Sequence, residues 1–408
     1  MIDPNLHFPN AEQTANLLWF DALVRHQIYV MRYAGSVRND IIELLNKTEK
    51  DIEGMIRSRL AGDKALSPRR LRRAEELVQS IRSLRNGAWD KADAELYAAM
   101  REFIGKEASF LGTTLEAVVP VQFAANLPSK ATLMALVRDL PFEGRILSSW
   151  ARSIRRSDLQ RIEDAIKIGV VQGESSAAIA RRVIGTGAMG GRDGVVQATR
   201  RHVQAVTRTA VVHYSTAARS SFFEANSDIF DKEIFVATLD GRTTAICRSL
   251  DGEKFPITEG PMPPLHFQCR SLRVASISEE SIGMRPARPI TERQMLREYT
   301  DQEGLRRVSR YRDLPYGTKT KYGAYRARRL REVTGRLPAK VTYSDWLRRQ
   351  SVEFQNDVLG ATRARLFRRG ELPLSRFVNR AGDELTLAQL AQREAAAFRA
   401  AGLDPSAY

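Results

Sequence analysis

The stretch Ile234–Ala275, IFVATLDGRTTAICRSLDGEKFPITEGPMPPLHFQCRSLRVA, decides how this 408-residue chain is organised. It is a β-type interlude between long helical runs, and it holds both cysteines of the protein, Cys247 and Cys269, together with His266, one of only five histidines. Asp240-Gly241 after the apolar run Ile234-Phe235-Val236-Ala237 is a turn signal, and Asp251-Gly252 repeats it before Lys254-Phe255, so a short antiparallel hairpin is predicted. Pro261, Pro263 and Pro264 keep the next loop extended and outside any central strand. The expected construction is a small sheet packed on the helix that precedes it, at about residues 195–225.

The same stretch carries the candidate chemistry. Two residues separate His266 from Cys269, a spacing that lets both reach one metal ion from a turn, with Cys247 and Asp240 arriving from the preceding strand and loop. Sulfur and imidazole favour zinc over magnesium or calcium. Asp240, Cys247, His266 and Cys269 would make a closed, four-coordinate structural zinc site that pins an extended loop. Ordinary packing is the other reading, with buried Cys247 against a hydrogen-bonded His266. A catalytic use of the same residues would make Cys247 the nucleophile, His266 the base and Asp240 its orienter, yet proximity in sequence does not supply that geometry. The clustered carboxylates or second histidine of a two-metal nuclease are not seen here. No catalytic residue is therefore assigned, and zinc is the one candidate cofactor.

Working outward, the length implies two or three domains. With 43% hydrophobic and 27% charged residues the composition is globular. No apolar run is long enough to span a bilayer, and Met1–Asn5 lacks the order of a signal peptide, so a protein made in a host cytoplasm without membrane insertion is expected. Two cysteines are too few for a disulfide framework. A net charge of +16, from 64 Lys and Arg against 48 Asp and Glu, points to an anionic partner, either nucleic acid or an acidic protein surface.

Residues 1–140 read as a helical N-terminal domain. Ser67-Pro68 supplies a cap and a first-turn proline for a helix carrying Leu71, Ala74, Leu77, Val78, Ile81 and Leu84 on one face. Its other face is arginine, including Arg70, Arg82 and Arg85, and reads as solvated or as a contact for an acidic partner. Phe110–Pro128 reads as a strand pair or an extended arm. A boundary falls near Pro141, and Ser157-Asp158 reads as a helix start, Gly173 as its stop and Ser175-Ser176 as the next start. The glycine-rich run 185–191 lacks the Gly-Lys-Ser/Thr ending of a phosphate loop and reads as a connector.

From Leu305 to Arg336 eleven Lys and Arg face two acids, Asp313 and Glu332, with Tyr311, Tyr316, Tyr322 and Tyr325 interleaved. That mixture fits phosphate contact with base stacking, or an acidic partner groove. The candidate contacts are Arg306, Arg307, Arg310, Arg312, Lys319, Lys321, Arg326, Arg328, Arg329 and Arg331. Gly317, Gly323 and Gly335 suggest an extended stretch.

The order of motifs is more specific than any one of them. A helix with Arg208-Thr209, then Asp240-Gly241-Arg242-Thr243-Thr244, Cys247, Asp251-Gly252 and Pro263-Pro264-Leu265-His266-Phe267-Gln268-Cys269-Arg270, resembles the tailed-phage head-morphogenesis family typified by protein F of phage Mu. Residues 150–275 carry the resemblance. The family pattern often ends Cys-Arg-Cys, and Ser271 stands here in place of the last thiol. The run from Thr342-Tyr343-Ser344-Asp345-Trp346 through Arg363-Ala364-Arg365-Leu366-Phe367 is similar to a tail module of some such proteins.

The resemblance implies a minor capsid or head-morphogenesis protein, several copies per particle, at the portal vertex or capsid interior, with portal protein, major capsid protein and packaged DNA as partners. The alternative is a nucleic-acid-acting metalloenzyme or toxin carried in the head. The predicted fold is mostly α with a small α+β central domain. Its parts are 1–140, a head-morphogenesis domain at 141–280, a basic extended connector at 281–340 and a helical C-terminal module at 341–408.

Overall fold

The computed structural model describes residues 11–62, 65–119, 122–189, 191–230, 232–277 and 283–408. Met1–Asn5, on which the signal-peptide reading rests, lies outside them, as do Pro120 and Gly190. The first half is helical: α1 (Ala11–Asn46), α2 (Glu49–Arg59), α3 (Pro68–Val118), α4 (Lys130–Asp139), α5 (Leu147–Val171), α6 (Ser176–Ile184) and α7 (Val196–Ala225). Ser67 caps α3 by accepting from the Arg70 N–H, as its sequence predicts. The helix then runs to Val118, where a strand pair or an extended arm was expected. Leu111 and Leu115 sit at helical spacing and pack with Trp19 and Phe222, so burial outweighs the local β preference of that segment.

Polar side chains tie these helices together inside the protein. Asp158, read as a helix start, lies within α5 and is fully buried. Its carboxylate accepts from Arg85 Nε at 2.7 Å, Trp89 Nε1 at 2.8 Å and Thr199 Oγ1 at 2.7 Å, joining α3, α5 and α7. Arg85 also donates to the Leu45 carbonyl at 2.6 Å. The arginine face of α3 is thus partly internal: Arg70 is buried too, and Arg82 pairs with Glu163. Glu107 forms a second knot with His26, Ser215 and Arg219. Burial pushes its carboxyl up, and Arg219 with His26 and Ser215 more than reverses this. One core joins Val37 of α1, Phe103 of α3, Leu147 of α5 and Val211 of α7, and so crosses Pro141.

Next come β1 (Lys232–Val236), β2 (Leu239–Asp240), α8 (Ala245–Ser249), β3 (Lys254–Pro256), β4 (Leu272–Ser276) and β5 (Met284–Arg288). One sheet has the order β3-β1-β4, all antiparallel. Its face packs Ile234, Val236, Leu272 and Val274 on Trp19, Phe222 and Phe223, so it sits on α7 as expected. The predicted hairpin is the β1–β3 pair, but Asp240-Gly241 is not its turn. The chain leaves the first sheet at Ala237, and β2 pairs in parallel with β5 in a second sheet.

That sheet is completed by β6 (Gly335–Pro338), after α9 (Glu292–Gln302) and α10 (Lys319–Val333). Residues 281–340 are therefore not an extended connector within the described part. Leu296, Tyr299, Leu314 and Tyr322 give α9 and α10 a small core of their own, because Tyr299 and Tyr322 face inward. The C-terminal part is α11 (Tyr343–Arg348), α12 (Val352–Leu359), α13 (Ala361–Arg369), α14 (Leu387–Arg393) and α15 (Ala395–Ala400), whose core takes in Leu239 and Ala287 of the second sheet. The fold is mostly α with small central sheets held between the N-terminal helices and the C-terminal module. No helix among the described residues is long and apolar enough to cross a membrane.

Candidate metal centre

Cys247 projects from the short helix α8, which follows the Asp240–Thr243 turn. His266 and Cys269 flank a tight turn closed by the Cys269 N–H donating to the His266 carbonyl at 3.1 Å. Gln268 takes a left-handed φ of 62° inside it, and its N–H donates to Thr209 Oγ1 on α7 at 3.0 Å, which anchors the turn to the helix. The result brings three ligand atoms together: Cys247 Sγ lies 3.7 Å from Cys269 Sγ and 3.3 Å from His266 Nε2, with all three within 4.8 Å of one another.

These spacings fit zinc. Bonds of about 2.3 Å to sulfur and about 2.0–2.1 Å to nitrogen at tetrahedral angles put two sulfurs about 3.8 Å apart and a sulfur about 3.6 Å from a nitrogen. His266 Nδ1 lies 2.9 Å from the Phe267 carbonyl, a bond that places the proton on Nδ1 and leaves Nε2 free to ligate. Thr244 Oγ1 is 2.9 Å from that Nε2. The thiols are strongly coupled. The Cys247 thiol, and beside it His266, hold Cys269 well below the ordinary thiol range despite burial, while contact with Cys269 and burial push Cys247 up. Cys269 in turn raises His266. One thiolate next to imidazole in a buried pocket is the donor set a soft divalent cation displaces protons to reach.

Asp240, the fourth residue of the predicted set, is not in this group. Its carboxylate accepts from Arg270 Nη2 at 2.8 Å and from the Arg242 N–H at 3.0 Å. Burial pushes its pKa up, and Arg270 followed by Arg242 brings it below the usual range. The predicted closed four-ligand set is thus a triad, and Cys247 and His266 line a cavity of about 260 Å³ with Thr244, Gln268, Arg270 and Arg208.

Residues 160–273 match the family described as Phage Mu protein F like protein. Over that segment the chain is similar to phage Mu protein F-like proteins. The matched segment runs from the middle of α5 to β4 and includes all three residues of the triad. Comparison with curated proteins and with solved structures gives no match.

The candidate nucleic-acid contacts lie elsewhere, and much of their charge is met internally. Arg307 pairs with Asp301, Arg326 with Glu292, Arg329 with Glu298 and Arg328 with Glu332. Arg312 lies 3.7 Å from Asp313, and Lys319 sits over the Tyr311 ring. Arg306, Arg310, Lys321 and Arg331 are exposed and have no acidic partner among the described residues. Tyr322 is buried and Tyr325 donates to Glu298, so these two rings are not free for stacking on bases, whereas Tyr311 and Tyr316 are exposed.

Sequence reasoning missed a hub behind the metal triad. Asp251, read as a turn residue, is buried and accepts from Arg285 Nη1 at 2.9 Å and Nη2 at 2.8 Å, from the Ala237 N–H at 2.6 Å and from the Tyr343 N–H at 2.6 Å. Tyr343 of α11 donates its hydroxyl to the Asp240 carbonyl at 2.9 Å. An Asp-Gly pair looks the same in sequence whether its carboxylate faces solvent or a buried arginine, so only the reappearance of Tyr343 in the tail-module motif offered a signal.

Proposed function

We propose that this phage Mu protein F-like chain is a minor head protein of a tailed phage, built into the virion at the portal vertex or capsid interior. It acts by holding portal or major capsid protein, and packaged DNA, rather than by catalysis. The observation that carries this reading is the match over residues 160–273, whose motifs build the centre of the molecule. Zinc held by Cys247, His266 and Cys269 would pin the 266–269 turn to α8, doing for this loop what a core does for a larger domain.

Mass spectrometry of purified virions, with stoichiometry relative to portal protein, tests the assignment, and a portal pull-down tests the partner. Presence in particles at several copies with capture of portal supports it. Absence from particles together with no binding to portal or capsid protein overturns it. Elemental analysis of purified protein tests the metal, with about one zinc per chain expected and none in Cys269→Ser.

One observation favours a second reading. The triad's side toward the cavity is open, and a three-ligand zinc with an open position activates water. A nucleic-acid-acting metalloenzyme carried in the head would then hydrolyse nucleic acid in a zinc-dependent way that Cys269→Ser abolishes.

A further inference from the structure

Beside the metal triad three arginines share a single bonded carboxylate among the described residues. Arg208 from α7, Arg242 from the turn after β2 and Arg270 before β4 converge where two cavities meet. Among the described residues the only carboxylate bonded to this trio is Asp240, which is taken by Arg270 and lies 3.8 Å from Arg242. Glu292 is near Arg242 but is occupied by Arg326 and Tyr322. Arg208 has no acidic partner there. Its one side-chain hydrogen bond among the described residues is Nη2 to the Met31 sulfur at 3.2 Å, and its Nε is buried without any hydrogen bond. Burial, then Arg270 and Arg242, weaken its hold on its proton. A half-buried guanidinium with no acidic partner and an unbonded Nε is destabilising to the folded chain, and such groups cluster where something binds.

The second cavity, about 190 Å³, continues from the arginines between α1 and β5. Its walls include Val24, Ile28 and Leu272, which are apolar, and Gln27. Ile28 is 46% exposed at its rim. The Gln27 side-chain oxygen is buried there with no partner. An orphaned donor thus stands at one end of an apolar slot and an orphaned acceptor on its wall.

We propose that this cleft docks an acidic segment of a partner protein, a carboxylate seated on Arg208 with Arg242 and Arg270 and the adjoining apolar side chain in the Val24–Ile28–Leu272 slot. A peptide supplies all three complements: the carboxylate for the guanidiniums, the apolar group for the slot and a backbone N–H for Gln27. Nucleic acid supplies only the anion. Its phosphates recur along a line, whereas these guanidiniums converge on one recessed point, and it has no aliphatic side chain for the slot. The proposal does not depend on whether the chain sits in a virion, so the virion mass spectrum and the experiment below can fail independently.

The test uses the full chain and fluorescence anisotropy of a labelled heptapeptide with a central aspartate followed by leucine, flanked by glycine and serine. Saturable binding is expected. Replacing the aspartate by asparagine should weaken it at least about tenfold, and replacing the leucine by glycine at least about fivefold. Arg208→Met should weaken the parent peptide at least about tenfold while leaving the melting temperature unchanged or higher, since it removes a half-buried cation that has no acidic partner. If that variant does not fold, Ile28→Asp at the exposed rim should abolish binding. Several results overturn the proposal: no binding of the peptide, equal binding of the asparagine form, wild-type affinity in Arg208→Met or Ile28→Asp, or displacement of the peptide by a single-stranded oligonucleotide whose own binding needs Arg208.

Discussion

The α9–α10 pair and the cleft between α1, α7 and β5 both concentrate arginine, and they differ in where the opposing carboxylates come from. In the first, α9 brings Glu292, Glu298 and Asp301 against Arg326, Arg329 and Arg307, so a run that reads as strongly basic folds into exposed or half-exposed ion pairs. In the second, three guanidiniums from distant parts of the chain line one cavity, and among the described residues only Asp240 offers them a carboxylate, to Arg270 and Arg242. Charge density along a sequence therefore says little about free charge in space. Five of the ten basic candidates in the dense run pair with an acid, whereas the three cleft arginines have only Asp240 among the described residues and leave Arg208 without one.

The shortage of negative charge in the cleft is tested most directly at Asp240. Asp240→Asn removes the buried partner of half-buried Arg270, and a loss of about 3 kcal/mol is expected in a urea titration. The wild-type carboxyl also gives this region an acid limit. Its folded pKa lies below the unfolded value, so the stabilisation is complete above about pH 4 and is lost as the pH falls through the folded value. If Asp240→Asn unfolds like wild type, the cleft is not short of negative charge.

Zinc should come next in size. With free zinc about a hundredfold above its Kd, the metal should add about 2.7 kcal/mol, read as a rise in melting temperature that a chelator reverses. Protons compete for His266 and the thiols, and Cys269 raises the pKa of His266, so zinc affinity should fall as the pH drops below neutrality. A melting temperature indifferent to zinc and chelator would leave the triad as packing.

For duplex DNA, contact through all ten basic candidates of the 306–331 run would give a slope of log K against log salt of about −9. Contact through the four exposed cations without acidic partners gives about −4. The smaller slope is expected, and the larger would mean that the ion pairs of α9 and α10 open on DNA. The smallest effect belongs to Glu298→Gln. Its pairs with Arg329 and Tyr325 are solvent-accessible, so it should cost no more than about 1 kcal/mol and less at high salt.

Much of this molecule was legible in its sequence where a local rule agreed with burial. The Ser67 cap, the Gly173 stop, the Ser175 start and the helix over 196–225 all follow from short-range signals that the tertiary structure reinforces. Cys247, His266 and Cys269 were found together because the 266–269 turn is itself local. Asp240 was misplaced for the opposite reason: its partner Arg270 lies thirty residues away, and a carboxylate near thiols in sequence can be claimed by either. Asp158 and Arg85 show the same limit, since a cap residue and a helix-surface arginine become a buried pair only once α3 and α5 are packed. The folding of the 281–340 region escaped notice because its glycines and charges outweighed, in reading, the tyrosines that form its core.

The bond from Tyr343 to Asp240 spans 103 residues and ties the hub to the order of synthesis. The triad, the arginines and both turn aspartates leave the ribosome first, while Asp251 and the Asp240 carbonyl still lack the partners α11 provides. At about 5–20 residues per second that gap lasts some 5–20 s. During it the nascent centre is open, and a polypeptide stopped before Tyr343 never closes it. Premature termination would thus yield chains marked by an incompletely bonded centre, distinguishable by protease sensitivity near residues 240–251 from those whose translation has passed that tyrosine.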